Sequence, residues 1–269
     1  MPTKPEITEL FESAYSRFHT AFRRESDPIS IAHRYPSKDD QEVAGFFAAI
    51  LAYGNVKSIL TSCRIALEPL GKNPAKFLRE AFDLNGLWTT FRHRFTRGED
   101  LQIVSLWLRR ILNEYGTIEK FFTATSHPLD SDMQLLLSDF VRRLHALPLT
   151  EAQRVIYRKR ERNLKYLISD PLQGSACKRL NMYLRWMVRE ADGVDLGLWK
   201  SLRPNQLKLP IDTHLLQTLH QLRWTRSKQA TWKVAEVATK KLIALNPDDP
   251  IRYDFALCHL SMAKGKLRA

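Results

Sequence analysis

The sequence predicts an all-α protein, and three patterns lead to that expectation. Apolar residues recur three and four positions apart along most of the 269-residue chain, which is the period of a helix buried on one side. Alternation of apolar and polar residues, the mark of a half-buried strand, does not recur, and strands do not alternate with helices. No internal repeat of about 20–50 residues is present. Because 44% of the residues are hydrophobic, the chain can bury a full core, and we expect a single unit spanning residues 1–269.

Capping and turn residues place the ends of the predicted helices. Asp27-Pro28 ends the first helix, and Ser37 opens one that is apolar on most sides and should be central. Gly54 and Asn55 separate that helix from the next, and Asn73-Pro74 begins a short one. The aromatic and basic segment 88–95 has no decisive period. The predicted helices cover residues 6–22, 37–51, 56–67, a short stretch from 73, 99–115, 117–122, 132–144, 151–168, 176–189, 213–222, 227–245 and 249–264.

The charge of the chain favours a polyanionic partner. A formal net charge of +13 and a pI of about 9.8 produce a long-range positive field, and nucleic acid is the polyanion that such a field most often meets. Residues 151–189 alone hold ten basic side chains against three acidic ones. A solvated helix face would give the same pattern, so the charge alone does not decide between the two interpretations.

Cysteine and histidine usage argues against a metal or cofactor site. Cys63, Cys177 and Cys258 are too few and too scattered for a zinc or iron–sulfur site, and an odd number argues against a disulfide framework. No pair of histidines has metalloprotease spacing. No apolar run approaches about 18 residues and no signal-peptide pattern begins the chain, so we expect a reduced, cytoplasmic protein without a membrane segment.

A lysine and an aspartate mark the candidate site. Gly174 ends a turn rich in helix breakers, and the helix that follows carries Lys178 in its first turn. The connection 194–210 then leads to the segment Leu209-Pro-Ile-Asp-Thr-His214, where Asp212 is placed to cap the next helix. A primary amine beside a carboxylate can attack a sugar carbon through an imine. Most aspartates in this position only cap, and the two functions of Asp212 are compatible because a helix N-terminus stabilises a charged carboxylate.

These residues resemble those of a known superfamily. Segment P-I-D-T-H after a helix–hairpin–helix with a lysine is similar to the helix–hairpin–helix DNA glycosylases, and the interval between Lys178 and Asp212 resembles that of archaeal 8-oxoguanine glycosylases. The whole chain, including G-S-A-C-K-R-L-N-M-Y-L-R-W-M-V-R, D-L-G-L-W-K and D-P-I-R-Y-D-F-A, also resembles a bacterial family labelled a domain of unknown function and placed near that superfamily. The chain departs from the superfamily in lacking the L-P-G-V-G hairpin consensus and in placing Lys178 four positions after Gly174, where about two is usual.

The resemblance implies a fold and a set of roles. The fold would be a two-lobed helical glycosylase fold whose helix–hairpin–helix and catalytic segment covers about 151–222, with the N-terminal and C-terminal helices forming the rest. Lys178 would be the nucleophile and Asp212 the essential carboxylate. Asp254 and Phe255 would recognise the base by hydrogen bonding and stacking, although core packing is the competing interpretation for Phe255. The remaining DNA contacts implied are Tyr53 or Asn55 as the residue filling the space of a flipped base, with Gly174, Ser175, Arg179, Arg185 and His214.

The expected function is therefore a DNA glycosylase with lyase activity on an oxidised purine, 8-oxoguanine first. The expected partner is double-stranded DNA containing a damaged base, bound by a monomer that is associated with the nucleoid. Two alternatives stay open at this point. In one, Asp212 activates water and no lysine adduct forms. In the other, the chain is a DNA- or RNA-binding helical protein in which Lys178 contacts phosphate and Asp212 only caps.

Overall fold

Capping side chains begin most of the helices, and they divide the chain much as the sequence predicts. The computed structural model describes residues 3–264, which are predominantly helical, with a single two-residue-per-strand hairpin among them. In chain order the elements are α1 Lys4–Phe18, α2 Ala21–Arg24, α3 Lys38–Ile50, α4 Val56–Leu67, α5 Pro74–Glu80, β1 Arg92–His93, β2 Thr96–Arg97, α6 Gly98–Glu114, α7 Ile118–Thr123, α8 Met133–His145, α9 Glu151–Leu167, α10 Lys178–Val188, α11 Thr213–Gln221, α12 Trp232–Ile243 and α13 Asp254–Lys264. Short 3-10 helices cover Pro28–Arg34, Glu68–Leu70, Pro171–Gln173 and Pro204–Gln206. The all-α prediction is confirmed.

The chain forms two compact units. The first unit joins the N-terminal segment to the C-terminal part of the chain, Met1–Glu25 with Pro171–Ala269. The second unit is the continuous stretch Ser26–Asp170. The boundary falls between α9 and α10, so the predicted helix–hairpin–helix segment contributes one helix to each unit.

The second unit is built around α3. Every residue from Val43 to Leu51 is buried, which confirms the prediction of a central helix. Two buried carboxylates of α3 bond to the beginnings of neighbouring helices. Glu42 accepts from the N–H groups of Ile118 and Glu119, each at 2.8 Å, and Asp40 accepts from the N–H of Ala75 at 2.8 Å. These bonds satisfy N–H groups that have no partner inside their own helices, and so they fix α5 and α7 against the core.

In the first unit the N-terminal helix packs against the last helix of the C-terminal segment. Helix α1 packs against α13, and α11 packs against the same helix. Phe11 contacts the ring of Tyr253 at 5.4 Å between centroids, and the Tyr253 hydroxyl donates to the carboxylate of Glu12. The buried aromatic contacts therefore tie the N-terminal helix into the C-terminal part of the unit.

Three local predictions differ from the structure, and the structure also settles one segment that the sequence left undecided. The predicted helix 6–22 is interrupted after Phe18, because Thr20 caps the separate short helix α2. Residues 227–230 form an irregular loop instead of helix, and α12 begins only after its capping residue Thr231. Helix α13 begins at Asp254, a few residues beyond Pro250. The undecided segment 88–95 forms a turn and the first strand of the hairpin. None of the helices in the part of the chain that the structure describes is both long and apolar enough to cross a bilayer.

Candidate functional site

The turn before α10 holds Lys178 at the first position of that helix. Gly174 has φ +83°, and its carbonyl accepts from the N–H of Trp232 at 3.3 Å. Ser175 pairs with Thr231 in a single β-bridge, and its hydroxyl accepts from the N–H of Cys177 at 3.1 Å. The predicted breaker turn with a lysine in the first turn of the next helix is confirmed.

Cys177 adopts a left-handed conformation that few non-glycine residues take. Its φ and ψ are 46° and 38°, and its side chain is buried and makes no capping hydrogen bond to α10. The direction in which α10 leaves the turn is therefore set by backbone conformation. The Lys178 side chain that follows is one-third exposed.

Asp212 lies opposite that lysine at the start of α11. Its Oδ1 accepts from the N–H of Leu215 at 2.8 Å, which confirms the predicted N-cap. Its Oδ2 lies 3.4 Å from Nζ of Lys178, and the Asp212 side chain is 17% exposed. One carboxylate thus caps a helix with one oxygen and faces the amine with the other. The expectation that Lys178 and Asp212 lie close together is confirmed by this distance, and their catalytic roles stay predictions.

Asp254 and Cys258 line the protein side of this pair. Asp254 is fully buried, and burial raises the pKa of its carboxyl to about 6 even though Arg185 opposes the shift; the charge of Asp212 raises it further. One turn later on α13, the Cys258 thiol lies 3.9 Å from Oδ1 of Asp254. Burial raises the Cys258 pKa well above its usual value, and the charges of Asp254, Asp212 and Lys178 also act on it. The site therefore has an amine and a carboxylate at its accessible side and a protonatable carboxyl behind them.

Arg185 of α10 and Arg189, the residue that follows this helix, are both buried, and the prediction that Arg185 faces DNA is wrong. Arg185 is 3% exposed; its Nε lies 3.2 Å from Oδ1 of Asp195, and its Nη1 pairs with Asp254. Arg189 is equally buried and pairs with Asp195 and, at 2.8 Å, with Asp249. The sequence showed a polar side of α10 but not the acidic residues that cover it, and the guanidinium of Arg185 is used inside the protein.

Phe255 is a core residue. It is 2% exposed, its ring contacts those of His19 and His259, and the guanidinium of Arg185 lies 5.7 Å from its centroid. The predicted stacking role is wrong, and the competing interpretation of core packing is correct. Asp254 does join the Lys178–Asp212 cluster, but as a buried ion-pair partner and not as an open hydrogen-bonding group.

The other predicted contacts of the first unit lie close to the turn and the cap. Gly174 and His214 are exposed, and Ser175 and Arg179 are partly exposed. Gly174, Ser175 and Arg179 flank Lys178 in the chain, and His214 lies in the first turn of α11 after Asp212. Their binding to DNA stays a prediction.

The two candidates in the second unit have different surroundings. Asn55 is exposed, and its side chain accepts from the N–H of Lys57 at 3.0 Å, so the predicted capping role is confirmed. The Tyr53 hydroxyl lies 2.9 Å from the His93 carbonyl and 2.6 Å from Oγ1 of Thr96, and its ring stacks on Phe95. Tyr53 is thus fixed on both its hydroxyl and its ring, which contradicts a role as the side chain that enters DNA.

The sequence missed the ion-pair network around Arg189. Burial opposes ionisation of Asp192, but the hydrogen bond from His19 and the charge of Arg189 outweigh it and hold the pKa of that carboxyl well below its usual range. The ligand atoms of His19, Asp192 and Asp195 lie within 4.8 Å of one another, a spacing that would suit a metal ion. Because Arg189 and Arg185 already pair with these carboxylates, the cluster is neutralised by the protein itself. Arg185 and Arg189 are four positions apart in the sequence, which places them on one side of a helix, and this spacing was the available signal.

A cleft in the second unit is separate from these residues. It has a volume of about 490 Å³ in the second unit, and its lining includes Trp88, Arg97 and Arg160. Arg160 pairs there with the buried Asp100 at 2.5 Å. None of the predicted site residues lines this cleft.

Comparison with known proteins gives a family but no relative of established activity. No curated protein matches the chain, and no solved structure matches it. The match to a family model begins at residue 27 and continues to residue 263. The chain therefore belongs to the family described as "Protein of unknown function (DUF2400)".

Proposed function

We propose that this protein is a DNA glycosylase with lyase activity, acting on an oxidised purine through an imine between Lys178 and the deoxyribose. The observation that carries the proposal is the 3.4 Å separation between Nζ of Lys178 and Oδ2 of Asp212, two residues brought together from separate helix starts. The resemblance of this pair and its turn to the helix–hairpin–helix glycosylases supports the substrate, and the net charge of +13 supports DNA as the partner.

The geometry supports separate roles for the two groups, with Lys178 as the nucleophile and Asp212 as the group that transfers protons. An amine must lose a proton before it attacks carbon, and Asp212 is within reach to accept it. Attack of the Lys178 nitrogen on C1′ breaks the bond to the base, and the proton held by Asp212 can pass to the departing base. Transfer of a proton from the attached nitrogen to the ring oxygen then opens the sugar and gives the imine, and loss of a C2′ proton breaks the C3′–O bond and releases the 3′ phosphate.

Asp212 is suited to this work because its orientation is already fixed. Its other oxygen is held by the N–H of Leu215, so Oδ2 stays directed at the amine. A carboxylate that is held in place stabilises developing positive charge on the sugar without reorganising during the reaction.

Borohydride trapping on a duplex containing 8-oxoguanine tests the proposal. We expect the wild-type protein to form a covalent protein–DNA band, and Lys178→Gln to form none. Lys233→Gln, which removes an exposed lysine elsewhere in the first unit, is the matched control and should keep the band.

A second pair of variants separates the two functions of Asp212. Asp212→Ser keeps a side-chain oxygen that can cap α11 and removes the carboxylate, so we expect near-normal thermal stability without trapping or base release. Asp212→Ala should lose activity and, in addition, about 1 kcal/mol of stability. Base release by the wild type without any trapped band would replace the imine by water activation. Salt-sensitive binding as the only activity, over a panel of lesions, would refute catalysis.

A further inference from the structure

An aromatic surface lies on the second unit and is not used by the proposed chemistry. Phe95 and Tyr166 are 39% and 51% exposed, and their rings touch at 4.8 Å with an interplanar angle of 82°. Phe95 also stacks on Tyr53 at 4.7 Å and 14°. Exposed aromatic rings that contact one another form a continuous apolar surface, which monomeric proteins keep small unless it binds something.

This stacking surface, Tyr53 with Phe95 and Tyr166, has a rigid base. The Tyr53 hydroxyl is bonded to the hairpin at the His93 carbonyl and at Thr96, so the ring under Phe95 does not rotate freely. The ladder pairs His93 with Thr96, which leaves Arg94 and Phe95 as a two-residue turn. The hairpin therefore presents these two side chains at its tip.

Arg94 adopts a conformation that such a turn normally gives to glycine or asparagine. Its φ is 52°, a left-handed value that is unfavourable for most residues other than glycine. Strained backbone conformations are often found at functional sites, so the strain at Arg94 supports a function for its side chain. The Arg94 side chain lies over Gly54, where a Cβ atom would be only 3.1 Å from its Cδ and Nη1.

The cations beside the rings lack acidic partners, whereas those further along α9 are paired. Lys159 and Lys165 form ion pairs with Glu99 and Glu161. Within residues 3–264, no carboxylate pairs with Arg94 or with Arg162. Arg162 is exposed and lies one helical turn before Tyr166, on the same face of α9. Two guanidinium groups without a carboxylate partner thus flank two partly exposed rings.

We propose that Phe95 and Tyr166 bind an unpaired base of a nucleic-acid strand by stacking, while Arg94 and Arg162 bind the adjoining phosphates. Bases of every sequence offer a flat face to an aromatic ring, and phosphates supply the negative charge that these arginines lack within the protein. An apolar protein partner would bury the rings but would leave the guanidinium groups without counter-charge. The inference does not depend on the chemistry assigned to Lys178, because the binding needs no lesion and no bond cleavage.

Fluorescence anisotropy with the full chain tests the stacking. The probes are labelled oligothymidine, oligouridine, and an oligomer of abasic residues that carries the same phosphates without bases. We expect the two base-containing probes to bind more tightly than the abasic one, and the tighter of the two identifies the strand as DNA or RNA. Phe95→Leu and Tyr166→Leu should each weaken oligothymidine binding by roughly 5- to 100-fold, while Phe95→Tyr and Tyr166→Phe, which keep a ring, should retain it.

Two control variants test whether the effects are specific to these residues, and thermal melting tests whether each variant is folded. Phe82→Leu removes an even more exposed phenylalanine of the same unit and should leave binding unchanged. Arg94→Ala should reduce the dependence of log affinity on log salt by about 0.7, the value for one phosphate of a single strand, whereas Arg34→Ala should not. Thermal melting of each variant shows whether it is folded. Equal affinity for the abasic probe, or folded ring-free variants that bind like the wild type, would overturn the proposal.

Discussion

Arg185→Met is the most informative change to the first unit, because that side chain is buried between two acidic residues. The substitution keeps a long apolar side chain and removes the charge that faces Asp195 and Asp254. Removing one partner from a buried ion pair costs about 3–5 kcal/mol, since the remaining charge stays desolvated. Asp195 keeps Arg189 as a partner, so most of the cost should arise at Asp254.

The magnitude can be checked by urea unfolding and by melting. A loss of about 3–5 kcal/mol corresponds to a fall in melting temperature of roughly 6–20 °C for a protein of this size. The double variant Arg185→Met with Asp254→Asn should recover a large part of the loss, because no unpaired charge then remains buried. Arg179→Met, on the same helix but partly exposed, is the matched control and should cost less than about 1 kcal/mol.

Two results would refute this reasoning. One is a single variant as stable as the wild type, and the other is a double variant whose loss equals the sum of the two single losses. DNA binding by folded Arg185→Met should keep the wild-type salt dependence, because the guanidinium is not available to a phosphate. A reduced salt dependence would restore the original prediction that Arg185 contacts DNA.

Two further predictions follow from buried groups. Burial raises the pKa of Asp254 from 3.8 to about 6, so the native state binds this proton more tightly than the unfolded state does. The stability that the protonated Asp254 contributes is present below about pH 4. It is lost, by about 3 kcal/mol, as the pH rises through 6. Urea unfolding of the wild type and Asp254→Asn between pH 4 and 7 measures it, and parallel pH profiles would contradict it. Gly98→Ala places a Cβ atom 1.8 Å from the Trp88 carbonyl oxygen and should cost about 3 kcal/mol, against about 1 for Gly86→Ala, where φ is +77° but space is open. Equal urea midpoints of the two alanine variants would show that the contact at Trp88 is relieved cheaply.

Helix boundaries were predictable where a single side chain decides them. Ser37, Asn55 and Asp132 each accept a hydrogen bond from the helix that they begin, and this preference is visible in a few residues of sequence. The interruption after Phe18 was not predictable from the apolar period, because the period continues through Phe22 while the backbone turns at Thr20.

In the candidate site, too, local features were predictable from the sequence and features that depend on distant residues were not. The capping role of Asp212 is local and could be predicted, but its distance from Lys178 depends on how two helices pack and was expected only through the resemblance. The burial of Arg185 depends on Asp254, which lies 69 positions further along the chain. A helical pattern distinguishes apolar from polar faces, yet it does not tell whether a polar face meets water or a carboxylate from elsewhere.

The discontinuity of the first unit has a consequence for synthesis of the protein on the ribosome. The second unit is continuous in sequence, so Ser26–Asp170 can fold while the rest of the chain is still being made. Helix α1 can pack only later, because it contacts α13 and because its Glu12 bonds to Tyr253, the residue before that helix. Contacts of such long sequence separation form late, since loop closure must be completed first. Lys178 and Asp212 therefore belong to the part of the molecule that completes its folding only after α13 has been translated.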